Sequence, residues 1–395
     1  MITTTLPTHR ASTRPATQQP DWPNPVDVRQ VTDHLAGLPP LVGPVATARL
    51  RERLAVAASG GALMLQGGHC AETFGADSQS QVAGNVSALL QMARVLTHGT
   101  GLPVTTVGRM AGQYAKPRSR PTEVRHGLEL PVYRGDAVNG PGFNARERLP
   151  DPRRMETAYQ ESAATLQRIA SARRNTEFHV SHEALLLPYE EALVRTDPDT
   201  GGRYAGSGHM LWIGERTRQP DGAHVEFAAH VENPVGVKIG PGVTADELLA
   251  LIDLLDPDRR PGRLTLITRM GADRVRDVLP ELVEKVTASG SPVLWVCDPM
   301  HGNTRVTDDG AKTRRMADIV DETAGFVEVH RALGTHPGGL HLEMTGSYVT
   351  ECLGGSDPVR PEDLGRRYTS ACDPRLNRGQ SLDLAHLAAG LWRKD

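Results

Sequence analysis

Four residues carry the common metal-ligating chemistries, each in a segment containing Gly or Pro: a thiol at Cys70, an imidazole at His301, and carboxylates at Glu343 and Asp373. A mixed sulfur, nitrogen and oxygen set is of borderline softness. It suits Mn²⁺, Co²⁺, Fe²⁺ or Zn²⁺ and disfavours Mg²⁺. Six cations stand at or just after the ends of short apolar runs: Arg109, Lys116, Arg118, Arg216, Lys238 and Arg269. Brought together they would bind a polyanion, with Arg as a planar fork for phosphate or carboxylate and Lys as a point charge. Taken singly, a cysteine is more often a small buried hydrophobe and an arginine a surface ion pair. The placement of the whole set carries the reading.

The elements that must position these groups are short and apolar. Ala62–Leu65 precedes Gln66-Gly-Gly-His-Cys70, and Pro103–Val107 precedes Arg109. Phe178–Val180 precedes His182-Glu183, and Met210–Ile213 precedes Glu215 and Arg216. Val235–Val237 leads to Lys238, Leu264–Ile267 to Arg269, Val293–Val296 to Cys297, Asp298 and His301, and Leu340–Leu342 to Glu343. Eight buried strands, each delivering a polar residue at its C-terminal end, predict a (β/α)₈ TIM barrel. An open parallel sheet also places ligands beyond its strand ends, but the strand count favours the barrel. Cys70, His301 and Glu343 would then follow strands one, seven and eight, which become neighbours on closure, and a loop can bring in Asp373.

The chain has 395 residues, a surplus over a barrel of roughly 250. Residues 1–20 read as a disordered tail, 21–58 as an N-terminal helical extension (Val26–Leu35 and Ala46–Ala58), and 59–395 as the catalytic barrel. Helices are expected over Asn85–Leu96, Arg153–Arg173, Ala245–Leu255 behind the Thr244/Glu247 capping box, Thr313–Thr323 and Ser381–Leu391. Another, Asp273 to Val286, should kink or break at Pro280. Arg134 to Pro152 reads as a long polar loop of the kind that is functional or mobile. A net charge of −3 offers no field for nucleic acid. No apolar run is fit for a signal peptide or a membrane span, which predicts a cytoplasmic protein. No P-loop or strand-linked G-x-G-x-x-G supports nucleotide binding. Cys372 adjoins Asp373, so if Asp373 and Cys70 share an ion the two thiols lie close. A disulfide between Cys70 and Cys372 is expected when metal is absent.

Several segments are long enough to identify. Gln66-Gly-Gly-His-Cys-Ala-Glu72, Gly108-Arg-Met-Ala-Gly-Gln-Tyr-Ala-Lys-Pro-Arg-Ser119 and Trp212-Ile-Gly-Glu-Arg-Thr-Arg-Gln219 are three. Asn233-Pro-Val-Gly-Val-Lys238, Thr268-Arg-Met-Gly271, Cys297-Asp-Pro-Met-His-Gly-Asn-Thr304 and Cys372-Asp-Pro-Arg-Leu-Asn377 are four more. From about Trp22 onward the chain resembles class II 3-deoxy-D-arabino-heptulosonate 7-phosphate (DAHP) synthases. The resemblance implies condensation of phosphoenolpyruvate with erythrose 4-phosphate, a divalent metal on Cys70, His301, Glu343 and Asp373, and a homo-oligomer. By matching motif, Arg216 and Arg269 would hold the phosphoenolpyruvate phosphate, and Arg109, Lys116 and Lys238 its carboxylate. Arg118 and Ser119 would take the aldose phosphate. Glu215 is the candidate for handling the water proton, or else orients Arg216.

Two departures stand out. Larger members insert a helix pair between the second and third strands that binds aromatic amino acids. Here Ala172 to Phe178 is too short for it, which predicts an enzyme without phenylalanine or tryptophan feedback, of the kind that feeds secondary metabolism. His69 stands where the family usually has Asp, which opens the identity of the aldose. An amino analogue of erythrose 4-phosphate is the alternative substrate. A catalytically weak partner of a mutase is the alternative of a different class, against which the retained ligands and cations argue.

Overall fold

The computed structural model describes residues 12–393 apart from Asp77 and Asp309. Eight parallel strands form the barrel: β1 (Leu63–Gly68), β2 (Val104–Arg109), β3 (His179–Glu183), β4 (Met210–Ile213), β5 (Val235–Ile239), β6 (Leu264–Thr268), β7 (Leu294–Cys297) and β8 (Gly339–Glu343). They pair in sequential order, and β1 closes the barrel against β8. The predicted (β/α)₈ architecture is therefore observed. Its strands read as continuous apolar runs because they are buried on both faces.

Register decides which side chains share the rim. Gly68 pairs with Arg109 on one side and Glu343 on the other, so a cation and a carboxylate flank one glycine. That glycine has φ 149°, and a Cβ there would lie 2.5 Å from the Arg109 carbonyl oxygen, so only glycine allows the close approach.

The helices of seven residues or more are α1 (Pro25–Gly37), α2 (Pro44–Ala58), α3 (Gln79–Thr100), α4 (Arg154–Ala172), α5 (Ala223–Ala229), α6 (Ala245–Leu255), α7 (Val275–Ala288), α8 (Met316–Ala332) and α9 (Arg378–Trp392). In α2, Leu50, Leu54 and Ala57 pack on Met64, Met210 and Leu294, closing the end of the barrel opposite the site. The capping box at Thr244 and Glu247 opens α6 as expected, and a second, at Ser78 and Gln81, starts α3 upstream of the expected position.

Three local expectations differ from the structure. Helix α7 runs unbroken through Pro280, since Leu279, Leu282 and Val283 are fixed in the core and packing outweighs one lost backbone bond. Helix α8 begins at Met316, because Lys312–Thr313 pairs with Arg305–Val306 as a small hairpin. The 134–152 loop is pinned: buried Arg148 donates to the carbonyls of Gly142 (2.9 Å) and Pro131 (3.1 Å). Of the tail expected over 1–20, residues 1–11 lie outside the described residues, whereas 12–20 lie along the barrel mouth and bond to its loops. No helix among the described residues is long and apolar enough to cross a membrane.

Candidate active site

A cavity of about 560 Å³ opens at the C-terminal end of the strands. Its lining includes Cys70, Arg109, Lys116, Arg118, Ser119, Glu215, Arg216, Lys238, Arg269, His301 and Asp373. Of the candidate metal-ligating and substrate-binding residues only Glu343 is not in that lining, and it sits fully buried beside it. The cavity also takes in Glu183, Gln113, Trp212 and Lys312.

One side of the mouth gathers the donors. Ligand atoms of Cys70, Glu343 and Asp373 all lie within 4.8 Å of one another. His301 joins from the neighbouring loop, its Nε2 3.1 Å from Glu343 Oε1. The other ring nitrogen, Nδ1, is 2.7 Å from Asp298 Oδ2, which orients the ring and turns Nε2 toward the cluster. The Lys116 ammonium touches Cys70 Sγ and Asp373 Oδ2 and stands 3.9 Å from Glu343 Oε1. Lys312 Nζ bonds the other Asp373 oxygen at 2.7 Å. Burial alone would raise both carboxyls, but His301, Lys116, Arg314 and Arg109 hold Glu343 well below the usual range. Lys116, Arg314 and Lys312 do the same for Asp373, against burial and the Glu343 charge. Both are therefore ionised and able to ligate. Burial pushes the Cys70 thiol up, so a metal must displace its proton.

Chemically the set fits a divalent transition ion. Glu343 Oε2 has no hydrogen bond; Arg314 Nη1 lies 2.8 Å from it but off the bonding direction. An ionised buried oxygen with spare capacity, beside a thiol, an imidazole and a second carboxylate, is a donor group a cation would complete.

The other side gathers cations. Lys238 is buried against Asp298, so Asp298 ties it to the His301 ring. Burial lowers Lys238 to about 8, with Arg109 and Arg269 adding and Asp298 opposing. Arg109 spans His341 Nε2 (2.9 Å) and Glu343 Oε1 (3.1 Å) and lies over the Trp212 ring at 5.2 Å. Arg269 Nη2 donates to the His301 carbonyl at 3.2 Å. Arg216 Nη2 donates to Ser119 Oγ at 2.6 Å, joining two loops.

Glu215 lines the cavity but is engaged: Oε1 accepts from Arg218 (2.8 Å) and Oε2 from the Gly240 amide (2.7 Å). Glu183 is free of such ties. Its Oε1 is buried without a hydrogen bond. Burial raises it to about 7 even though Lys116, Lys238, Arg109 and Arg216 face it. Glu183 was visible in the sequence as a strand-end residue, yet nothing there marked its isolation. Lys312 had no signal at all, because it stands in a charged stretch with no strand before it.

Buried carboxylates also hold the loops, mostly by main-chain amides and, for Glu322, also by the Asn303 side chain. Glu72 accepts from the amides of Ala111, Gly112 and Gln113 (2.8, 2.9 and 2.7 Å), on the path to Lys116. Glu322 accepts from Met270 (2.8 Å), Gly271 (2.9 Å) and the Asn303 amide group (2.7 Å), which fixes the Arg269 and His301 turns together. Glu351 accepts from Thr369, Ser370 and Arg375 (3.0, 2.9 and 2.7 Å), in the segment that delivers Asp373. His69 does not line the cavity. It stands behind the donor cluster, between Asn85 (2.9 Å) and Arg375 (3.3 Å).

Residues 7–176 and 169–389 match the profile of the class-II DAHP synthetase family. A Streptomyces coelicolor protein named phospho-2-dehydro-3-deoxyheptonate aldolase is 50% identical, with 96% of each chain covered. A Mycolicibacterium smegmatis protein named phospho-2-dehydro-3-deoxyheptonate aldolase AroG is 44% identical over 97% of this chain and 94% of its own. The solved structure of a Francisella tularensis phospho-2-dehydro-3-deoxyheptonate aldolase superposes with a TM-score of 0.52 at 13% identity, covering 91% of this chain and 95% of that one. That last likeness is one of fold alone.

Proposed function

The chain belongs to the class-II DAHP synthetase family, and on that premise we propose that its barrel mouth condenses phosphoenolpyruvate with erythrose 4-phosphate and water, giving DAHP and inorganic phosphate. The observation that carries this reading is the abutment, in one cavity, of a thiol–imidazole–dicarboxylate cluster and a ring of fixed cations. Arg216 and Arg269 would hold the phosphoenolpyruvate phosphate, and Arg109, Lys116 and Lys238 its carboxylate. Arg118 and Ser119 would hold the phosphate of the aldose.

Cys70, His301, Glu343 and Asp373 would hold a divalent ion, Mn²⁺ or Co²⁺ first, whose Lewis acidity polarises the aldehyde. The cations orient both phosphates so that C3 of phosphoenolpyruvate faces the aldehyde carbon. As the C3–C bond forms, C2 becomes electron-poor and accepts the oxygen of water. The C2–O bond then breaks and phosphate departs toward Arg216 and Arg269, already placed to stabilise it. The water must lose a proton. We assign that to Glu183 in preference to Glu215, because Glu183 has an unpaired oxygen and a pKa of about 7, suited to a base at neutral pH. Glu215 would instead tie the Arg216 loop to the end of β5.

Freedom from aromatic feedback and service to secondary metabolism are part of the same reading. They are supported by the six residues 173–178 that join α4 to β3. The Streptomyces coelicolor alignment runs over 430 positions, longer than this chain of 395, so that relative carries residues with no counterpart here. A homo-oligomer is also proposed, to be checked by light scattering.

The deciding assay is phosphate release from phosphoenolpyruvate with a panel of aldose phosphates. Release with erythrose 4-phosphate, lost to chelator and restored by Mn²⁺ or Co²⁺, is expected. No release with that aldose under any metal would end the reading.

A further inference from the structure

We propose that residues 12–20 form a strap that completes the aldose-phosphate subsite, and that Gln18 is a positioning residue for Arg118. The inference rests on the assignment of Arg118 and Ser119 to that subsite and names a part of it that no motif marks.

The strap crosses three loops in succession. Gln18 Oε1 accepts from the Arg118 amide at 2.8 Å, and its carbonyl accepts from Arg134 Nη1 at 3.1 Å. Both belong to the segment that follows β2. Thr17 Oγ1 donates to the Arg216 carbonyl at 3.1 Å, in the loop that follows β4. Gln19 Nε2 donates to the Leu185 carbonyl at 2.7 Å, after β3. Because Arg216 also reaches Ser119 (2.6 Å), the strap and this bond together close a ring around the two loops that carry the phosphate-binding residues.

How the strap is held shows what it is for. Ser12 to Gln19 contains no large apolar side chain, and only Pro20 at its end is buried, so burial of hydrophobic surface does not anchor residues 12–19. The first residues of the strap are tied to helix α5, Arg14 to Glu226 at 3.4 Å and the Ala223 amide to the Pro15 carbonyl at 3.0 Å, and from Thr17 on its bonds go to the loops of the mouth. Gln18 adopts φ 61°, a left-handed backbone that non-glycine residues seldom take. The turn aims the side chain at the Arg118 amide while the carbonyl reaches Arg134. Each such bond has a modest net value, so the strap refines the positions of groups that the barrel has already placed.

Gln18→Gly is the informative variant, since glycine accepts φ 61° without strain and removes only the side-chain acceptor. We expect KM for erythrose 4-phosphate to rise about three- to tenfold, the loss of one hydrogen bond, with kcat and the phosphoenolpyruvate KM within about twofold. A chain starting at residue 21 should show the same rise in aldose KM while keeping its thermal midpoint. A second readout needs no turnover: calorimetric titration of inorganic phosphate into protein saturated with phosphoenolpyruvate. Weaker phosphate binding by Gln18→Gly supports the strap even if the full chain forms no DAHP, an outcome that would count against the reaction alone. Unchanged phosphate binding, an unchanged aldose KM, or equal rises in both substrate KM values would overturn it.

Discussion

His301 and Glu343 meet at 3.1 Å, Nε2 to Oε1, although they come from different strand ends. Asp298 grips the far side of the same ring at 2.7 Å. If the cluster binds Mn²⁺, the ion at a hundred times its Kd should stabilise the fold by about 2.7 kcal/mol, read as a rise in thermal midpoint. His301→Ala should abolish that rise. Asp298→Asn, which loosens the ring and also removes the charge facing Lys238, should weaken Mn²⁺ by about 10–100-fold. An unaltered Mn²⁺ response in both variants would exclude these residues from the metal centre.

Lys116 poses a competition. Its ammonium neutralises the same anions a divalent ion would bind. Lys116→Met should therefore tighten Mn²⁺ binding measured by calorimetry, while the metal-free form loses stability because its buried carboxylates lack a partner. The phosphoenolpyruvate KM should rise at the same time. Weaker Mn²⁺ binding would show that the lysine supports the metal.

Glu183 gives a dependence on pH with a definite sign. Its folded pKa of about 7 lies above the ordinary carboxyl value. The unfolded chain therefore ionises first as pH rises, and this group subtracts stability between about pH 4.5 and 7, after which the penalty is constant. Glu183→Gln removes the penalty. Its advantage over the parent should be absent near pH 4, grow to pH 7 and then level, reaching about 3 kcal/mol at the upper limit. Turnover should fall. Denaturation curves at several pH values test the first outcome, and an advantage that shrinks with pH would refute it.

Cys70 and Cys372 are both free thiols and lie close enough to shift each other's ionisation. Mild oxidation of the chelated protein should link them, and Mn²⁺ should protect them. Peptide mapping by mass spectrometry that finds both thiols intact after oxidation would contradict this.

The short connection ahead of β3 predicts no response to aromatic amino acids. Titration with phenylalanine or tryptophan should give no heat and leave turnover unchanged. Tight binding of either would require a site elsewhere on the molecule.

Much of the barrel was legible because strands buried on both faces leave an uninterrupted apolar signature, and Lys238 and Arg269 follow theirs directly. The donors were legible because four ligand chemistries stood at such ends or in Gly- and Pro-rich loops. What escaped notice depends on distance in space. Pro280 is tolerated because neighbouring core residues outvote it, a balance no local window contains. Lys312 reaches Asp373 from a hairpin that has no apolar face. Ser12–Gln19 looks unstructured by composition, since its order comes from bonds to segments a hundred or more residues away. Glu183 was placed correctly at a strand end, but its lack of a partner is a property of its surroundings.

Glu72, Glu322 and Glu351 grasp peptide N–H groups, which every residue except proline possesses. The path of the backbone at 111–113, 270–271 and 369–370 is thereby largely independent of the side chains displayed there, whereas the His301 turn is held through the Asn303 side chain. Substrate preference can drift, or be redesigned, by exchanging one cation or hydroxyl at a time along an unmoving trace. A proline at Met270 or Ser370, or an Asp too short to replace Glu322, would disarrange groups several residues away that it never touches.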